Sequence, residues 1–444
     1  GANFDSHQVI SEIAAKGAAA VIVERDMMID ENLTVIRVND TRKALAHMSA
    51  AYFGHPARKM RMIAVTGTKG KTTTTYLIKS ILENAGYQVG LIGTIETIIG
   101  EDHIKATNTT PESYVLQSYL KQMLDCGCQV VIMEASSQGF KLARTDAIMF
   151  DYGIFTNIEP DHIGPNEHAD FLEYLQCKSM LFKQCETGIV NGDDPHVERI
   201  IQGHTCRIER YGIVNPADLL AKDIELVSEL DYLGVAFRTE GMIELEVTVD
   251  TPGMFSVYNA LAAIAVCSHF NIDRNDIVRA LREAKVKGRI EMISVSNEFS
   301  LMIDYAHNAM ALESLLKTLK EYNPQRIVTL FGCGGNRSKM RRYEMGEVSG
   351  RLSDLTIITS DNPRDEDPMD IIADIRTGIQ KTNGEYLEIC DRREAIAYAI
   401  ANARPGDVII LAGKGHEDYQ EIKGVKYPMD EREIIKNITL QSDF

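Results

Sequence analysis

The sequence predicts an α/β protein in which a small N-terminal αβ unit precedes two larger units with mainly parallel sheets. From residue 58 onward, short apolar runs alternate with segments of helical period, which is typical of parallel strands covered by helices on both faces. Each larger unit also carries a glycine-rich turn directly after a buried strand, where such folds bind ligands. With 444 residues, of which 44% are apolar, the chain can bury several cores.

Composition and charge exclude several classes of function. The formal net charge of −17 argues against a protein that binds nucleic acid regardless of sequence, since such binding needs a basic surface. No apolar run reaches the roughly 18 residues of a membrane span, and no signal-peptide pattern is visible. The eight cysteines are scattered except at Cys126-Gly-Cys128, so we expect reduced thiols and a cytoplasmic protein. A zinc site at that pair is the alternative, although no second pair accompanies it.

The sequence predicts that residues 1–57 form the small N-terminal unit. It consists of a helix, two strands and a second helix at 10–15, 19–24, 33–38 and 41–53. Because no strand precedes these elements, we expect that an N-terminal segment is missing from this sequence and that the unit is incomplete.

The central unit, residues 58–288, opens with a buried strand and a glycine turn. Gly67 and Gly70 precede Lys71 and Thr72, and a helical pattern follows. A strand, a glycine turn and a helix N-terminus form a phosphate cradle, in which the lysine reaches the β- and γ-phosphates and the threonine hydroxyl meets Mg²⁺. The loop lacks the first glycine of the strict P-loop pattern, so a turn without a ligand is the alternative. We interpret it as a nucleotide-binding P-loop.

The rest of the central unit continues the alternation of strands and helices. The predicted strands lie at 60–65, 89–92, 130–134, 148–155 and 188–191. Charged and apolar residues alternate at 224–249, which predicts antiparallel strands at the edge of the sheet.

The third unit, residues 289–444, is a second α/β unit without a Gly-Lys-Thr sequence. Its predicted strands lie at 301–304, 326–331, 354–359 and 407–411, and its helices at 309–322, 368–379 and 392–401. Polar residues follow these strands directly, at 304–307, 336–337, 361–364 and 413–417. Because the carboxyl ends of parallel strands meet at one edge of a sheet, we expect a second substrate site there.

Two residues of the central unit suit divalent metals. Glu134 closes a strand neighbouring the P-loop strand, where an acid can hold Mg²⁺ next to the phosphates, and a solvated strand end is the alternative. His162 lies in an acidic loop after another strand and can ligate a second metal, and a surface histidine is the alternative.

Lys178 falls on the apolar stripe of a predicted helix, between Leu175 and Phe182. A lysine that faces inward is costly unless it is paired or chemically changed. The alternative is that its stem packs on the helix while the ammonium group reaches solvent.

Arg337, Arg342 and Arg364 lie on the strand-end loops of the third unit. Guanidinium groups suit carboxylates because two N–H bonds can match two oxygens. Each arginine alone is also consistent with a surface charge, but three of them among glycine-rich strand exits favour a site for a carboxylate.

These stretches together resemble the Mur ligases, the ATP-dependent amide-forming enzymes of peptidoglycan synthesis. The likeness covers the whole chain and is greatest to the members that add the third residue to UDP-MurNAc-L-Ala-D-Glu. The motifs that carry it appear in the family's order: Gly67-Thr-Lys-Gly-Lys-Thr, Asn108-Thr-Thr-Pro-Glu, Glu134-Ala-Ser-Ser, Tyr258-Asn-Ala-Leu, Asp304-Tyr-Ala-His, Asp361-Asn-Pro-Arg and Gly413-Lys-Gly-His-Glu.

The resemblance implies a uridine-nucleotide domain, an ATPase domain and an amino-acid domain, at 1–57, 58–288 and 289–444. The residues implied to bind ATP are Gly67, Thr68, Lys69, Gly70, Lys71, Thr72, Thr73, Asn259, Arg289 and Asp304. Those implied to bind the UDP-sugar dipeptide are Asn108, Thr109, Thr110, Ser136 and Arg144. Those implied to bind the incoming amino acid are Arg342, Asp361, Asn362, Arg364, Gly413 and Glu417. The implied metal ligands are Thr72, Glu134, His162 and Lys178, the last as a carbamate.

The implied reaction uses ATP and Mg²⁺ in two steps, with Lys71, Lys178 and His162 as the catalytic residues. The γ-carboxylate of D-Glu attacks the γ-phosphate of ATP to give an acyl phosphate, and an amine then displaces phosphate. We expect Lys71 and Mg²⁺ to offset the charge on the transferring phosphoryl group. We also expect the enzyme to act as a monomer.

The identity of the amino acid stays open between meso-diaminopimelate and L-lysine. The sequence Asp361-Asn-Pro-Arg is similar to the motif of diaminopimelate-adding members, whereas the loop at 161–168 is similar to that of lysine-adding members. We expect meso-diaminopimelate, because Arg364 can bind a second carboxylate and would repel an ammonium group.

Other functions also remain open from the sequence. A folylpolyglutamate synthetase shares the P-loop and the inward lysine but not the motifs at 361–364 and 413–417. A P-loop ATPase or kinase that acts on a protein partner is a rival from another class. A relic of a ligase that only binds its ligands is a further alternative.

Overall fold

The computed structural model describes residues 5–26, 33–164, 167–229 and 232–441. Its contacts divide the chain into two compact units. The first comprises Gly1–Leu220, Glu240–Glu244 and Tyr258–Ile277, and the second comprises Ala221–Thr239, Leu245–Val257 and Val278–Phe444. The first four residues and part of the loop at 161–168 lie outside the described residues. The predicted domain boundaries after residues 57 and 288 stay a prediction.

The N-terminal elements confirm the sequence prediction. They are helix α1 (Ile10–Ala15), strands β1 (Ala20–Val23) and β2 (Thr34–Arg37), and helix α2 (Thr41–Tyr52). The two strands are parallel. Helix α2 begins after Asp40 because the carboxylate of that residue accepts hydrogen bonds from the backbone N–H groups of Arg42 and Lys43.

The first unit is built on a sheet in which the P-loop strand is an inner strand. Its strands are β3 (Arg61–Thr66), β4 (Val89–Ile92), β5 (Glu96–Ile99), β6 (Asp102–Lys105), β7 (Val130–Glu134), β8 (Phe150–Phe155), β9 (Cys185–Asn191) and β10 (Arg207–Gly212). Their order is β6-β5-β4-β7-β3-β8-β9-β10, and β3 pairs in parallel with both β7 and β8. The sheet order therefore reverses at the end of β3, and such a switch point is where parallel sheets bind ligands.

Five α-helices of the same unit lie between β3 and β10 in the described part of the chain. They are α3 (Lys71–Asn84), α4 (Ser113–Asp125), α5 (Ser137–Lys141), α6 (Phe171–Ser179) and α7 (Val197–Ile200). Strand β3 is apolar and fully buried from Met62 to Val65, as expected of an inner strand covered on both faces. Helix α3 begins directly after the glycine turn, so the predicted strand, turn and helix are confirmed.

The segment predicted to form antiparallel strands does so in part. It contains β11 (Leu219–Glu229), β12 (Tyr232–Gly241) and β13 (Glu246–Val249), and the helices α8 (Met254–Cys267) and α9 (Arg274–Glu283) follow. Strands β12 and β13 are antiparallel and β13 is an edge strand, as predicted. Strand β11 begins ahead of the predicted segment, where it is parallel to β10 with Leu219 opposite Tyr211.

The second unit contains a sheet of six strands. Its further elements in chain order are β14 (Glu291–Ile293), β15 (Ser300–Asp304), α10 (Ala309–Lys320), β16 (Arg326–Phe331), α11 (Lys339–Leu352), β17 (Leu355–Ile358), α12 (Pro368–Ile379), β18 (Tyr386–Glu388), α13 (Arg392–Ala401), β19 (Asp407–Ala412), β20 (Tyr419–Ile422), β21 (Val425–Pro428) and α14 (Glu431–Gln441). The strand order is β14-β15-β19-β16-β17-β18, and every neighbouring pair is parallel except β14 with β15. Strands β15, β16, β17 and β19 therefore end at one edge, as predicted.

Alternate residues of these strands enter two different apolar cores. On β19, Ile409 and Leu411 belong to one core, whereas Val408 and Ile410 belong to the other. Strand β19 is a continuous apolar run from Val408 to Ala412 because both faces of the sheet are covered. Each such buried side chain contributes roughly 1.5–3 kcal/mol, so the sheet gives firm support to the loops at its edge.

The described part of the chain contains neither a membrane-spanning helix nor a ready-made metal-binding cluster. No helix in it is both long and apolar enough to cross a membrane. All eight cysteines are free thiols, and no group of three or more His, Cys, Asp or Glu side chains in the described ranges could hold a metal by itself. The alternative of a zinc site at Cys126 and Cys128 therefore finds no support there.

Candidate active site

Gly67 and Gly70 shape the turn between β3 and α3. Both have positive φ angles, 153° and 83°, which favour glycine. A Cβ on Gly67 would lie 1.9 Å from Oγ1 of Thr156, and a Cβ on Gly70 would lie 2.4 Å from Oδ1 of Asn259. The structure thus brings Asn259, one of the residues predicted to bind ATP, against the P-loop.

The loop after β8 fixes the backbone of the P-loop. Asn157 accepts hydrogen bonds from the backbone N–H groups of Thr68 and Lys69, at 2.8 and 3.0 Å. Thr156 donates to the carbonyl oxygen of Lys69 at 2.7 Å, and Thr73 is half-buried in the first turn of α3. A glycine turn held in this way at a helix N-terminus is an arrangement that binds phosphates.

Lys71 and Lys178 converge on the P-loop from two different helices. Lys71 donates to the carbonyl oxygens of Gly67 and Thr68 at 2.9 and 3.0 Å. Lys178 donates to the same oxygen of Gly67 at 2.7 Å, and its Nζ lies 4.6 Å from the centroid of the Tyr174 ring. Lys178 is only 1% exposed, so the prediction that it faces inward is confirmed. The alternative, in which its ammonium group reaches solvent, is wrong. Burial first, and then the charge of Lys71, hold the pKa of Lys178 well below its usual range.

Glu134 ends β7 as a fully buried carboxylate. Its Oε1 accepts hydrogen bonds from Oγ1 of Thr72 and from the backbone N–H of Thr94, both at 2.9 Å. Its Oε2 accepts from Oγ1 of Thr94, also at 2.9 Å. The alternative of a solvated strand end is therefore wrong. A threonine hydroxyl beside a buried carboxylate at the start of α3 is a donor set that fits Mg²⁺, which prefers oxygen ligands.

Sequence reasoning missed Thr94, which makes two of these three bonds. Thr94 follows β4, and β4 pairs with β7, so the sheet brings it to the end of the neighbouring strand. The preceding Gly93 also matters, because a Cβ there would lie 2.7 Å from Oε1 of Glu134. A Gly-Thr pair directly after an apolar strand was the available signal.

His162 lies at the surface beside the P-loop region. Its side chain is 51% exposed, and its Nδ1 lies 3.2 Å from Oε1 of Glu167. Its φ of 54° is in the left-handed region, which is uncommon outside glycine. The His162 and Tyr174 ring centroids are 6.0 Å apart, so His162 and Lys178 both pack near the same ring. The assignment of His162 as a metal ligand stays a prediction.

Four of the residues predicted to bind the UDP-sugar dipeptide lie close to Glu134. Thr110 donates to the carbonyl oxygen of Glu134 at 3.0 Å and accepts from the N–H of Ser136 at 2.9 Å. Arg144 donates to the carbonyl oxygen of Thr110 at 2.8 Å, and Oγ1 of Thr109 lies 3.1 Å from that of Thr94. Asn108, the fifth predicted residue, is exposed.

In the second unit, Asp304 and Arg289 surround Tyr305. Asp304 accepts hydrogen bonds from the N–H groups of Ile290 and Ala306 at 2.9 and 2.8 Å. Burial raises the pKa of Asp304, and the charge of Arg289 opposes that rise. The guanidinium carbon of Arg289 lies 4.8 Å from the centroid of the Tyr305 ring. The assignment of Asp304 and Arg289 to ATP stays a prediction.

The structure brings together four residues predicted to bind the amino acid. Nδ2 of Asn362 donates to Oε2 of Glu417 at 2.8 Å. A Cβ on Gly413 would lie 3.3 Å from Oδ2 of Asp361. Lys414, which sequence reasoning missed, is fully buried among them and donates to Oδ1 of Asp361 at 3.0 Å. It stands within Gly413-Lys-Gly-His-Glu417, so the motif itself was the signal.

Arg342 is engaged by carboxylates of the protein itself. It is 1% exposed, and its two terminal nitrogens donate to both carboxylate oxygens of Glu366 at 2.8 and 2.7 Å. Nη1 also donates to Asp374 at 2.9 Å. These bonds favour a structural role for Arg342, which holds the loop before α12. Binding of the incoming amino acid by Arg342 stays a prediction.

Arg364 differs because it is partly exposed. Its Nε donates to Oε2 of Glu421 at 3.2 Å, and its Nη1 donates to the carbonyl oxygen of Gly335 at 2.7 Å. A Cβ on Gly334 would lie 2.9 Å from Nη1, so the glycine-rich exit of β16 leaves room for the guanidinium group. Arg364 is thereby oriented at the edge where the strands end, while the exposed Arg337 lies further along the same loop.

Comparison with known proteins identifies the family. The model of the Mur ligase middle domain matches residues 65–267, and that of the Mur ligase glutamate ligase domain matches residues 288–415. A relative from Caldanaerobacter subterraneus subsp. tengcongensis, named UDP-N-acetylmuramoyl-L-alanyl-D-glutamate--2,6-diaminopimelate ligase, is 42% identical over 100% of this chain and 91% of its own. The chain belongs to the Mur ligase family. It is therefore an ATP-dependent acid–amino-acid ligase, as the sequence motifs predicted.

Solved structures agree with the fold of this Mur ligase. The structure of a ligase with that same name matches it with a TM-score of 0.72 and 29% identity, over 98% of this chain and 89% of the other. A folylpolyglutamate synthase from Mycobacterium tuberculosis matches with a TM-score of 0.66 but only 15% identity, over 84% and 92% of the two chains. The second likeness shows a shared fold alone. The predicted α/β class with the three-domain Mur ligase architecture is confirmed.

Proposed function

We propose that this Mur ligase joins meso-diaminopimelate to the D-Glu γ-carboxylate of UDP-MurNAc-L-Ala-D-Glu, with ATP as the energy source. The 42% identity over the whole chain to a ligase named for these substrates carries the assignment. The geometry around the P-loop and around Arg364 supports it. We infer a cytoplasmic location from its nucleotide substrates, and the monomeric state stays a prediction.

The P-loop of the first unit suits the triphosphate of ATP. The helix N-terminus at the start of α3 and the ammonium group of Lys71 beside the glycine turn support binding of phosphate oxygens there. Thr72 and Glu134 would hold Mg²⁺, which supplies positive charge beside the phosphates when it is bound. Lys71 offsets the negative charge of the transferring phosphoryl group.

The position of the side chain supports the proposal that Lys178 is carbamylated. A buried ammonium group next to Lys71, with a neutral carbonyl as its acceptor, is electrostatically unfavourable. The uncharged amine can attack carbon dioxide, so that an N–C bond forms and one proton leaves. The product is an anion with two oxygens, which replaces repulsion from Lys71 by attraction.

The second unit suits the incoming amino acid. Arg364 can bind the distal carboxylate of diaminopimelate with a guanidinium group that Glu421 and Gly335 already orient. Asp361 and Glu417 supply negative charge for an ammonium group. L-Lysine lacks the distal carboxylate, so it leaves Arg364 without its ligand.

The chemistry then has two steps. One oxygen of the γ-carboxylate attacks the γ-phosphorus of ATP, the bond to ADP breaks, and an acyl phosphate forms. The deprotonated amine attacks the acyl carbon, an amide bond forms, and inorganic phosphate leaves with the carboxylate oxygen. Holding the acyl phosphate and the amine in fixed positions supplies the entropic part of the catalysis.

A phosphate-release assay on the purified chain tests the function. Release should require both UDP-MurNAc-L-Ala-D-Glu and an amino acid, and meso-diaminopimelate should exceed L-lysine and L-ornithine in kcat/KM. Release without the dipeptide would indicate a P-loop ATPase or a kinase. Phosphate release that needs a folate and glutamate would indicate a folylpolyglutamate synthetase. Binding of the ligands without any phosphate release would indicate a former ligase that has lost its activity.

A further inference from the structure

The buried cation Lys414 links three residues of the second unit that are assigned above to the amino acid. It is fully buried at the end of β19. Its Nζ lies 3.0 Å from Oδ1 of Asp361, 3.2 Å from Oδ1 of Asn362 and 3.5 Å from Oε2 of Glu417. The centroid of the Tyr419 ring lies 5.8 Å from Nζ. Every one of the three hydrogen-bond acceptors is therefore a proposed binding residue.

Charge explains what such a cation does at this place. Asp361 and Glu417 both lie within reach of Lys414, so one positive charge stands against two negative ones. Without the cation, the two carboxylates would repel each other with no positive charge between them, which favours their separation. With it, the group keeps one net negative charge, which suits a single ammonium group of a ligand.

Hydrogen bonds also fix the positions of the side chains around Lys414. Asn362 donates to Glu417 through Nδ2, while its Oδ1 accepts from Lys414 and from the backbone N–H of Glu421 at 2.9 Å. The oxygen of Glu417 that bonds Asn362 is also the one nearest to Lys414. Removing the ammonium group would therefore loosen all three side chains together.

We propose that Lys414 is a positioning residue that sets the affinity of this Mur ligase for the ammonium group of its amino-acid substrate. This inference rests on the function proposed above. Lys414 does not contact the reacting atoms. It acts through Asp361, Asn362 and Glu417, whose charge and orientation it holds.

The decisive variant is K414M, which keeps the length of the side chain and removes its charge. We expect the KM for meso-diaminopimelate to rise at least about tenfold, while the KM for ATP and kcat change less than about threefold. Phosphate release with each substrate varied in turn gives these constants.

A matched control separates this effect from simple destabilisation. Arg326 pairs with the buried Asp407 through Nε and Nη2, at 3.1 and 2.5 Å, where β16 and β19 begin. This is the opposite edge of the same sheet. R326M should therefore lower the unfolding temperature but leave the KM for the amino acid within about twofold of wild type.

K414Q serves if K414M does not fold, because its amide still donates to Asp361 without adding charge. It should raise the KM for the amino acid at least about fivefold. An unchanged KM in a folded Lys414 variant, or an equal rise in R326M, would overturn the positioning role. Absence of amino-acid-dependent release in the wild type would instead refute the proposed function, so the two failures are distinguishable.

Discussion

Lys71 and Lys178 donate to one and the same acceptor, the carbonyl oxygen of Gly67, at 2.9 and 2.7 Å. Lys71 comes from the start of α3 and Lys178 from the end of α6, so two cations of distant sequence meet at the P-loop. We propose that Lys71 binds a phosphate of ATP. Lys178 is buried beside Lys71, and burial together with the charge of Lys71 disfavours the protonated amine.

The first prediction concerns Lys178. K178A should lower kcat for phosphate release by about 100-fold or more, because an anion beside the P-loop is lost. Wild-type enzyme stripped of carbon dioxide should regain activity when bicarbonate is added, and K178A should not. K183A is the control, since Lys183 is exposed in the turn that follows α6. Full activity in K178A would contradict the role of this residue.

The second prediction compares two glycines with similar backbone strain. Gly70 has a φ of 83° and Gly86 a φ of 88°, but only a Cβ on Gly70 meets a neighbour, Oδ1 of Asn259. G86A should cost about 1–2 kcal/mol in unfolding free energy and leave ATP affinity unchanged. G70A should also abolish detectable ATP binding in calorimetry. Equal ATP affinity in both variants would argue against the P-loop as the nucleotide site.

The third prediction concerns the choice of amino acid. R364A should remove most of the preference for meso-diaminopimelate over L-lysine, because the distal carboxylate loses its cation. We expect the ratio of the two kcat/KM values to fall by about 10- to 100-fold. R404A changes an exposed arginine just before the start of β19, away from the strand ends, and should leave the ratio unchanged. A preserved preference in R364A would favour another source of specificity.

The fourth prediction is a pH dependence of stability. Hydrogen bonds from Arg342 lower the pKa of Glu366 from 4.5 to about 2. The ionised carboxylate therefore stabilises the folded state above pH 4.5, and this contribution disappears as the pH falls from 4.5 towards 2. E366Q should be about 1 kcal/mol less stable than wild type at pH 7, and this difference should shrink on acidification.

Urea unfolding at several pH values measures that difference. E347Q is the control, because Glu347 pairs with Lys381 at 3.6 Å and both side chains are well exposed, so little stability should depend on it. A difference for E366Q that grows as the pH falls would show that the Arg342 pair does not stabilise the folded state.

Local pattern was enough to predict the strands, the P-loop and the inward lysine. The apolar runs in β7 and β19 are continuous because both faces of the sheet are covered. The inward direction of Lys178 was predictable because this residue falls on the apolar stripe of a helix. The site at one edge of the second unit's sheet was also predictable, because parallel pairing brings the carboxyl ends of the strands together there.

Partners that are distant along the chain were not predictable. Arg342 was expected to recognise a carboxylate of the ligand, yet its partners Glu366 and Asp374 come from 24 and 32 residues further on. Thr94 reaches Glu134 only because β4 pairs with β7. Lys414 could not be singled out within Gly413-Lys-Gly-His-Glu417 from the sequence, because only the fold shows which polar side chain of that motif is buried.

The most direct test of the central claim follows one oxygen atom through the reaction. We propose that ATP bound at the P-loop activates the D-Glu γ-carboxylate as an acyl phosphate. A dipeptide substrate labelled with heavy oxygen in that carboxylate is incubated with ATP and meso-diaminopimelate, and the inorganic phosphate is analysed by mass spectrometry. One labelled oxygen per amide formed should appear in the phosphate. Amide formation with unlabelled phosphate would contradict the account.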